Sequence, residues 1–199
     1  MDVLHLFPTA VGIFQFERNF SKKELEFIKK QEVTKNVGNT TSTNRNILDS
    51  KELRFIKKFI EKSVQIYLAE IYNPKQNVSL RLTQSWSNYS TKNQWHHKHK
   101  HPNSFVSGVL YIQGEKDKDK IYFHKSNICH MRTLPKEWNT FNSESWWVEA
   151  YTGRLLIFPS ELEHSVENVE TEETRISLSF NTFPIGHFGD DESLTGLTL

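Results

Sequence analysis

From residue 78 onward the chain is a succession of short β-prone runs, at 78–90, 105–113, 120–125, 146–150, 154–158, 164–169 and 175–183, separated by Gly, Pro, Asn, Asp or charged turns. Seven or eight strands at this spacing leave little choice beyond a sandwich or a jelly roll. The aromatic share, 13% with 14 Phe and 5 Trp, suits such a β-rich core. At 199 residues the expectation is a single domain over 1–199, with an N-terminal strand and helical buttress at 1–77, a β core at 78–184 and a loosely held tail at 185–199.

Within the buttress, residues 3–16 are apolar and partly alternating but broken by Pro8 and Gly12, so they read as an extended segment edging a sheet. Ser21 followed by Glu24 makes a capping box, and Phe20 with Leu25 sits at hydrophobic-staple spacing, which predicts a helix running to about Val33. Residues 34–48 are polar and aperiodic and read as a loop. Asp49 and Glu52 open a second helix whose Leu53, Ile56, Phe59, Ile60, Val64, Tyr67, Leu68 and Ile71 recur on one face, and Asn73-Pro74 ends it. The charged stretch 114–119 reads as a solvated hairpin tip. The connection 126–145, with Cys129, His130, Pro135 and Trp138, is long enough for either an active-site rim or an ordinary surface excursion.

A net charge of +1 advertises neither nucleic acid nor an anionic membrane at the whole-chain level. Cys129 is the sole cysteine, so no intrachain disulfide forms. The first residues lack the build of a secretion signal, and no apolar run approaches the ~18 residues of a membrane helix. The expected location is the cytoplasm, of a bacterium or a phage-infected host.

Chemistry concentrates in Trp95-His96-His97-Lys98-His99-Lys100-His101, just ahead of the apolar run at 105–113. In a strand His97, His99 and His101 share one face while Lys98 and Lys100 take the other, so one face can hold a metal; a solvated basic loop is the plain alternative. Downstream, Gly153, a buried run and Pro159 lead to His164. Alone it reads as a satisfied core histidine. A jelly roll, however, brings distant strands together, so two histidines of the cluster and His164 can form a facial three-ligand site with positions left open. His97 with His99 has the same spacing as His99 with His101. Arg175 opens the last core run with Ser177 on its face. A buried guanidinium needs an anionic partner, which a dicarboxylate would supply; the alternative is an arginine exposed near Glu172 and Glu173.

Taken together, the blocks 99–104 (HKHPNS), 107–111 (SGVLY), 156–160 (LIFPS) with His164, and 175–181 (RISLSFN) resemble the 2-oxoglutarate/Fe(II) oxygenases of bacteria and phages, a branch of the prolyl-hydroxylase-like dioxygenases. Residues 6–9 and 86–88 fit as well. The resemblance implies a mainly β (α+β) double-stranded β-helix, or jelly roll, with Fe(II) on His99, His101 and His164. It implies that Arg175 and Ser177 grip the distal carboxylate of 2-oxoglutarate, helped by Tyr111 and Asn88, for which strand packing and turn bonding are the ordinary readings. The wider superfamily carries Asp or Glu where His101 stands, so three neutral imidazoles leave a dipositive centre with a different redox poise.

The implied activity is O2-dependent hydroxylation of a small-molecule or peptide substrate. Two alternatives stand beside it. A cupin-like metal enzyme fits Gly153, Pro159, His164 and Asn168 but lacks the expected glutamate after His101; a catalytically inactive β-sandwich binding protein would explain the His101 departure. Trp95, Trp138, Phe141, Trp146 and Trp147 favour an organic or peptide substrate, while Lys92, Lys98, Lys100 and Lys125 keep single-stranded nucleic acid open. Oligomeric state is not written in the sequence.

Overall fold

The computed structural model describes residues 1–126 and 134–199, so Cys129 and His130 lie outside the described residues. In chain order the elements are β1 (Gly12–Gln15), α1 (Lys22–Lys29), β2 (Val33–Lys35), β3 (Thr40–Ser42), α2 (Arg54–Tyr67), β4 (Val78–Ser90), β5 (His96–His99) and β6 (Val106–Gln113). They continue with β7 (Lys120–His124), β8 (Ser145–Glu149), β9 (Arg154–Pro159), β10 (His164–Val166), β11 (Arg175–Phe188) and β12 (Leu197–Thr198). Two antiparallel sheets result, one ordered β1-β9-β6-β11-β4-β3-β2 with β12 against β11, the other β5-β10-β7-β8. This is the jelly roll, mainly β, with both helices on one side.

Local chemistry sets the buttress. Ser21 and Glu24 form both bonds of the capping box, at 3.3 and 2.7 Å. The helix then stops at Lys29, short of the expected Val33, because β-branched Val33 and Thr34 pair instead with Ser42 and Thr41 in a hairpin. The stretch 34–48 is therefore not a plain loop. Its second strand is bound to β4 through the hydroxyls of Thr41 and Ser42, the first donating to the Ser87 carbonyl at 3.2 Å and the second accepting from Ser87 N at 3.0 Å. The second helix is entered through two 3-10 turns at Ile47–Asp49 and Lys51–Leu53, without a side-chain cap from Asp49. It leaves through a π turn at Leu68–Tyr72, and Asn73, with φ 43°, closes it in the left-handed region. Nor is the tail loose throughout: β11 runs on to Phe188, and Leu197–Thr198 pair back onto it.

The large sheet divides two cores. Ile56, Ile60 and Val64 of α2 pack with Leu110, Leu155, Ile157, Ile176, Leu178 and Phe180 on its outer face. On its inner face, Val109, Tyr111, Leu156 and Phe158 meet Ile121 and Phe123 of the small sheet. Alternation assigns the sides, so a residue and its neighbour on β6, β9 or β11 serve different cores. No helix among the described residues is long and apolar enough to cross a membrane.

Candidate metal centre and cofactor site

The site lies between the sheets, where β10 is flanked by β5 and β7. His164 begins β10 and is opposite His99 on one side and Phe123 on the other. His101 lies past the end of β5, its main-chain N–H bonded to the Ser160 carbonyl at 2.9 Å. One ring nitrogen each from His99, His101 and His164 falls within 4.8 Å of the others, and Nε2 of His101 stands 3.3 Å from Nε2 of His164.

The rings are oriented from behind. Nδ1 of His99 is 2.7 Å from the His97 carbonyl and Nδ1 of His164 is 3.0 Å from the Leu162 carbonyl. A carbonyl only accepts, so each Nδ1 carries the proton and each Nε2 keeps a bare lone pair. His101 is hydrogen-bonded by the Asn181 side chain, itself fixed by Ser107 Oγ at 2.9 Å, and its ring stacks on Trp86. Burial holds His164 well below the usual imidazole range and pushes His101 down to about 4, with the neighbouring imidazoles adding to both effects. These rings are neutral at pH 7. One proton cannot serve three converging lone pairs, whereas a divalent cation can, so the donor set fits a metal of imidazole preference.

The regular alternation expected for His97, His99 and His101 does not hold. On β5 two residues, His97 and Lys98, stand opposite the lone Ser165 of β10, a β-bulge that breaks the alternation. His96, outside that alternating set, comes to lie 4.6 Å from the His99 ring, nearly parallel to it, and lines the chamber.

Beside the imidazoles a polar row crosses the large sheet: Asn88 of β4, Ser177 of β11 and Tyr111 of β6 are direct cross-strand partners. Arg175 is on the same face of β11 and is 5% exposed, which rules out the surface alternative near Glu172 and Glu173. Its Nη1 donates to Asp119 at 2.9 Å and its Nη2 to the Glu167 carbonyl at 3.1 Å. Asp119 was expected on a solvated hairpin tip; it is 7% exposed, because a buried guanidinium requires an anion and this one lies at the turn's end. The Tyr111 hydroxyl and Asn88 Oδ1 are buried with no partner, a costly condition that a carboxylate-bearing and water-coordinating ligand would relieve. The chamber that Tyr111 and Ser177 share with the imidazoles is about 30 Å3, so entry of a dicarboxylate requires side chains to move.

Residues 84–181 match the family described as "Putative 2OG-Fe(II) oxygenase". The chain belongs to the 2-oxoglutarate/Fe(II) oxygenases. Solved oxygenase-fold structures are similar over most of their length. HygX from Streptomyces hygroscopicus, with nickel, 2-oxoglutarate and hygromycin B bound, aligns at TM-score 0.60 and 12% identity over 87% of this chain and 82% of its own. SnoN, a non-heme α-ketoglutarate-dependent epimerase from nogalamycin biosynthesis, aligns at 0.60 and 13% over 89% and 81%. A prolyl-4-hydroxylase from Pseudomonas putida aligns at 0.53 and 12% over 87% and 92%. No curated protein matches this oxygenase sequence. Asn181, Asp119 and Trp86 were not assigned roles from sequence, although Asn181 closes the last quoted block; Asp119 carried no signal, since pairing across 56 residues is invisible in a charged turn.

Proposed function

We propose that His99, His101 and His164 hold Fe(II), and that Arg175, Ser177, Tyr111 and Asn88 receive 2-oxoglutarate. On this reading the whole chain acts as one oxygenase unit in the cytoplasm. The observation that carries it is the convergence of three imidazole nitrogens, two of them anchored through Nδ1 on backbone carbonyls, beside a polar row with an unpartnered Tyr111 hydroxyl. Bound together, the metal and 2-oxoglutarate would supply reduction of O2 coupled to decarboxylation of the oxo acid to succinate, with oxidation of an organic substrate.

The chain's own residues do the rest. The Leu162 and His97 carbonyls fix the tautomers of His164 and His99, and Asn181 orients His101. Arg175 presents a planar donor fork, and Tyr111 a single proton, to a carboxylate. Phe158, packed edge-on against His164 at 4.7 Å, and Trp86 over His101 keep water from the rings. For the substrate, an aromatic and aliphatic groove of about 720 Å3, walled by Leu4, Leu6, Phe123, Phe141, Trp146 and Leu162, adjoins the His164 side and suits a small organic molecule or peptide better than a polyanion.

The test is succinate release from 2-oxoglutarate by tag-free protein supplied with Fe(II) and O2. Turnover in the wild type that His164→Ala abolishes supports the reading; equal turnover in both sinks it. A second reading has one observation behind it. Asp119 already pairs with Arg175, as in a binding module that kept the fold and lost the cofactor. Calorimetric titration showing no 2-oxoglutarate binding to metal-loaded protein would favour that reading.

A further inference from the structure

A second group of three histidines stands beside the first. One ring nitrogen each from His96, His97 and His99 falls within 4.8 Å of the others, with ring centroids 4.6 to 5.3 Å apart. The bulge at His97 and Lys98 makes this possible, since regular alternation would send His96 and His97 to opposite faces. Nδ1 of His97 is buried without a hydrogen-bond partner, an unfavourable state for a nitrogen that either donates or accepts. The His96 ring stands among imidazoles, 4.6 Å from that of His99 and 5.3 Å from that of His97, centroid to centroid.

Position gives the cluster a direction. His96 and Val166 line both the inner chamber and an open cleft of about 540 Å3 walled by Trp95, Lys98 and Ser165. His164, at the far side, is 5% exposed. An ion coming from solvent through this cleft meets His96 before it meets His164. His99 belongs to both groups, but its Nδ1 is held by the His97 carbonyl, so one lone pair, at Nε2, is left to share.

We propose that His96, His97 and His99 form a second divalent-metal site that captures the ion at the cleft and passes it inward by exchange of the two other ligands around His99. The two sites exclude one another, because one Nε2 cannot ligate two ions, and each protein therefore carries a single ion. A set of neutral imidazoles selects first-row ions such as Ni(II), Cu(II) and Zn(II) over Mg(II) or Ca(II). The inference rests on the reading of His99, His101 and His164 as the inner site.

Equilibrium dialysis with Ni(II) tests it without any turnover. The variant His101→Ala/His164→Ala lacks the inner site and should still bind one equivalent. Adding His97→Ala should weaken that binding at least ~10-fold, as expected for loss of a ligand or its support. His97→Asn serves as the second variant if alanine disturbs the fold, which circular dichroism monitors. In the otherwise unaltered chain, His96→Ala/His97→Ala should leave one equivalent at equilibrium but slow its uptake several-fold in stopped flow. The remaining histidines outside both groups are present throughout, so adventitious binding is constant. The proposal is overturned if the double inner variant binds no more Ni(II) than the same variant carrying His99→Ala, or if the wild type takes up two equivalents more than that His99→Ala variant. Absence of 2-oxoglutarate turnover in the wild type would remove the oxygenase reading and leave these binding outcomes intact.

Discussion

Ile176, Leu178 and Phe180 point from β11 into the helical core, whereas Arg175, Ser177, Ser179 and Asn181, the alternate residues of the same strand, belong to the chamber side. The first set is dry and self-sufficient. Each side chain there stabilises the fold by roughly 1.5–3 kcal/mol of burial and asks for no partner. The second set works only through partners: Asp119 for Arg175, Asn88 for Ser179 at 3.1 Å, Ser107 for Asn181. Where a partner is missing, as at the Tyr111 hydroxyl on neighbouring β6, the sheet tolerates the cost because its other face is so well packed.

This division can be broken from either side. His99→Ala removes a ligand from both imidazole groups and should lower Fe(II) or Ni(II) affinity by at least ~100-fold while urea denaturation of the metal-free protein shifts little. If metal affinity survives, neither group binds as argued. Phe180→Ala, on the dry face, should cost about 3–5 kcal/mol in the same denaturation experiment yet leave metal stoichiometry intact in the folded fraction. Loss of stoichiometry without loss of stability would reverse the roles of the two faces. Arg175→Lys keeps the charge and loses the fork, so 2-oxoglutarate affinity by calorimetry should fall roughly tenfold. An unchanged affinity would leave Arg175 as no more than the partner of Asp119. The smallest effect is a control remote from both faces: Ser21→Ala opens the capping box and should cost ~1 kcal/mol with no change in metal or cofactor binding.

Strand β4 was legible to the residue, as Val78–Ser90, and so was the capping box, because a period-2 run and a cap are local signals. The hairpin of β2 and β3 was not, since its six residues are polar or exposed and gain their order from the hydroxyl bonds of Thr41 and Ser42 to β4. In the site, the histidine cluster and His164 stood out as residue types at a spacing, the family resemblance chose His99 and His101 from the cluster, and the structure brings the ring nitrogens of His99, His101 and His164 together. The position of His96 did not stand out. A bulge depends on how two strands of different length settle against each other, and neither strand alone records it. Asp119 was hidden for the opposite reason: its neighbours Lys116, Asp117 and Lys118 are those of a solvated turn, and its burial goes with a distant partner, Arg175 on one oxygen, and with the Glu115 main-chain N–H on the other at 2.9 Å.

Gly108 of β6 backs onto the ring of Phe180, where a methyl group would come within 2.3 Å of Cζ and 2.8 Å of the Leu156 carbonyl. Its main chain is also part of the chamber lining. At that point bare peptide, one layer thick, is all that stands between the hydrophobic interior and the histidine-lined chamber, and no side chain is available there for selection to vary. Diversification of what the pocket admits must therefore come through Val109, Ser179 or Trp86, and a library randomised at position 108 would sample collapse of the core rather than new specificity.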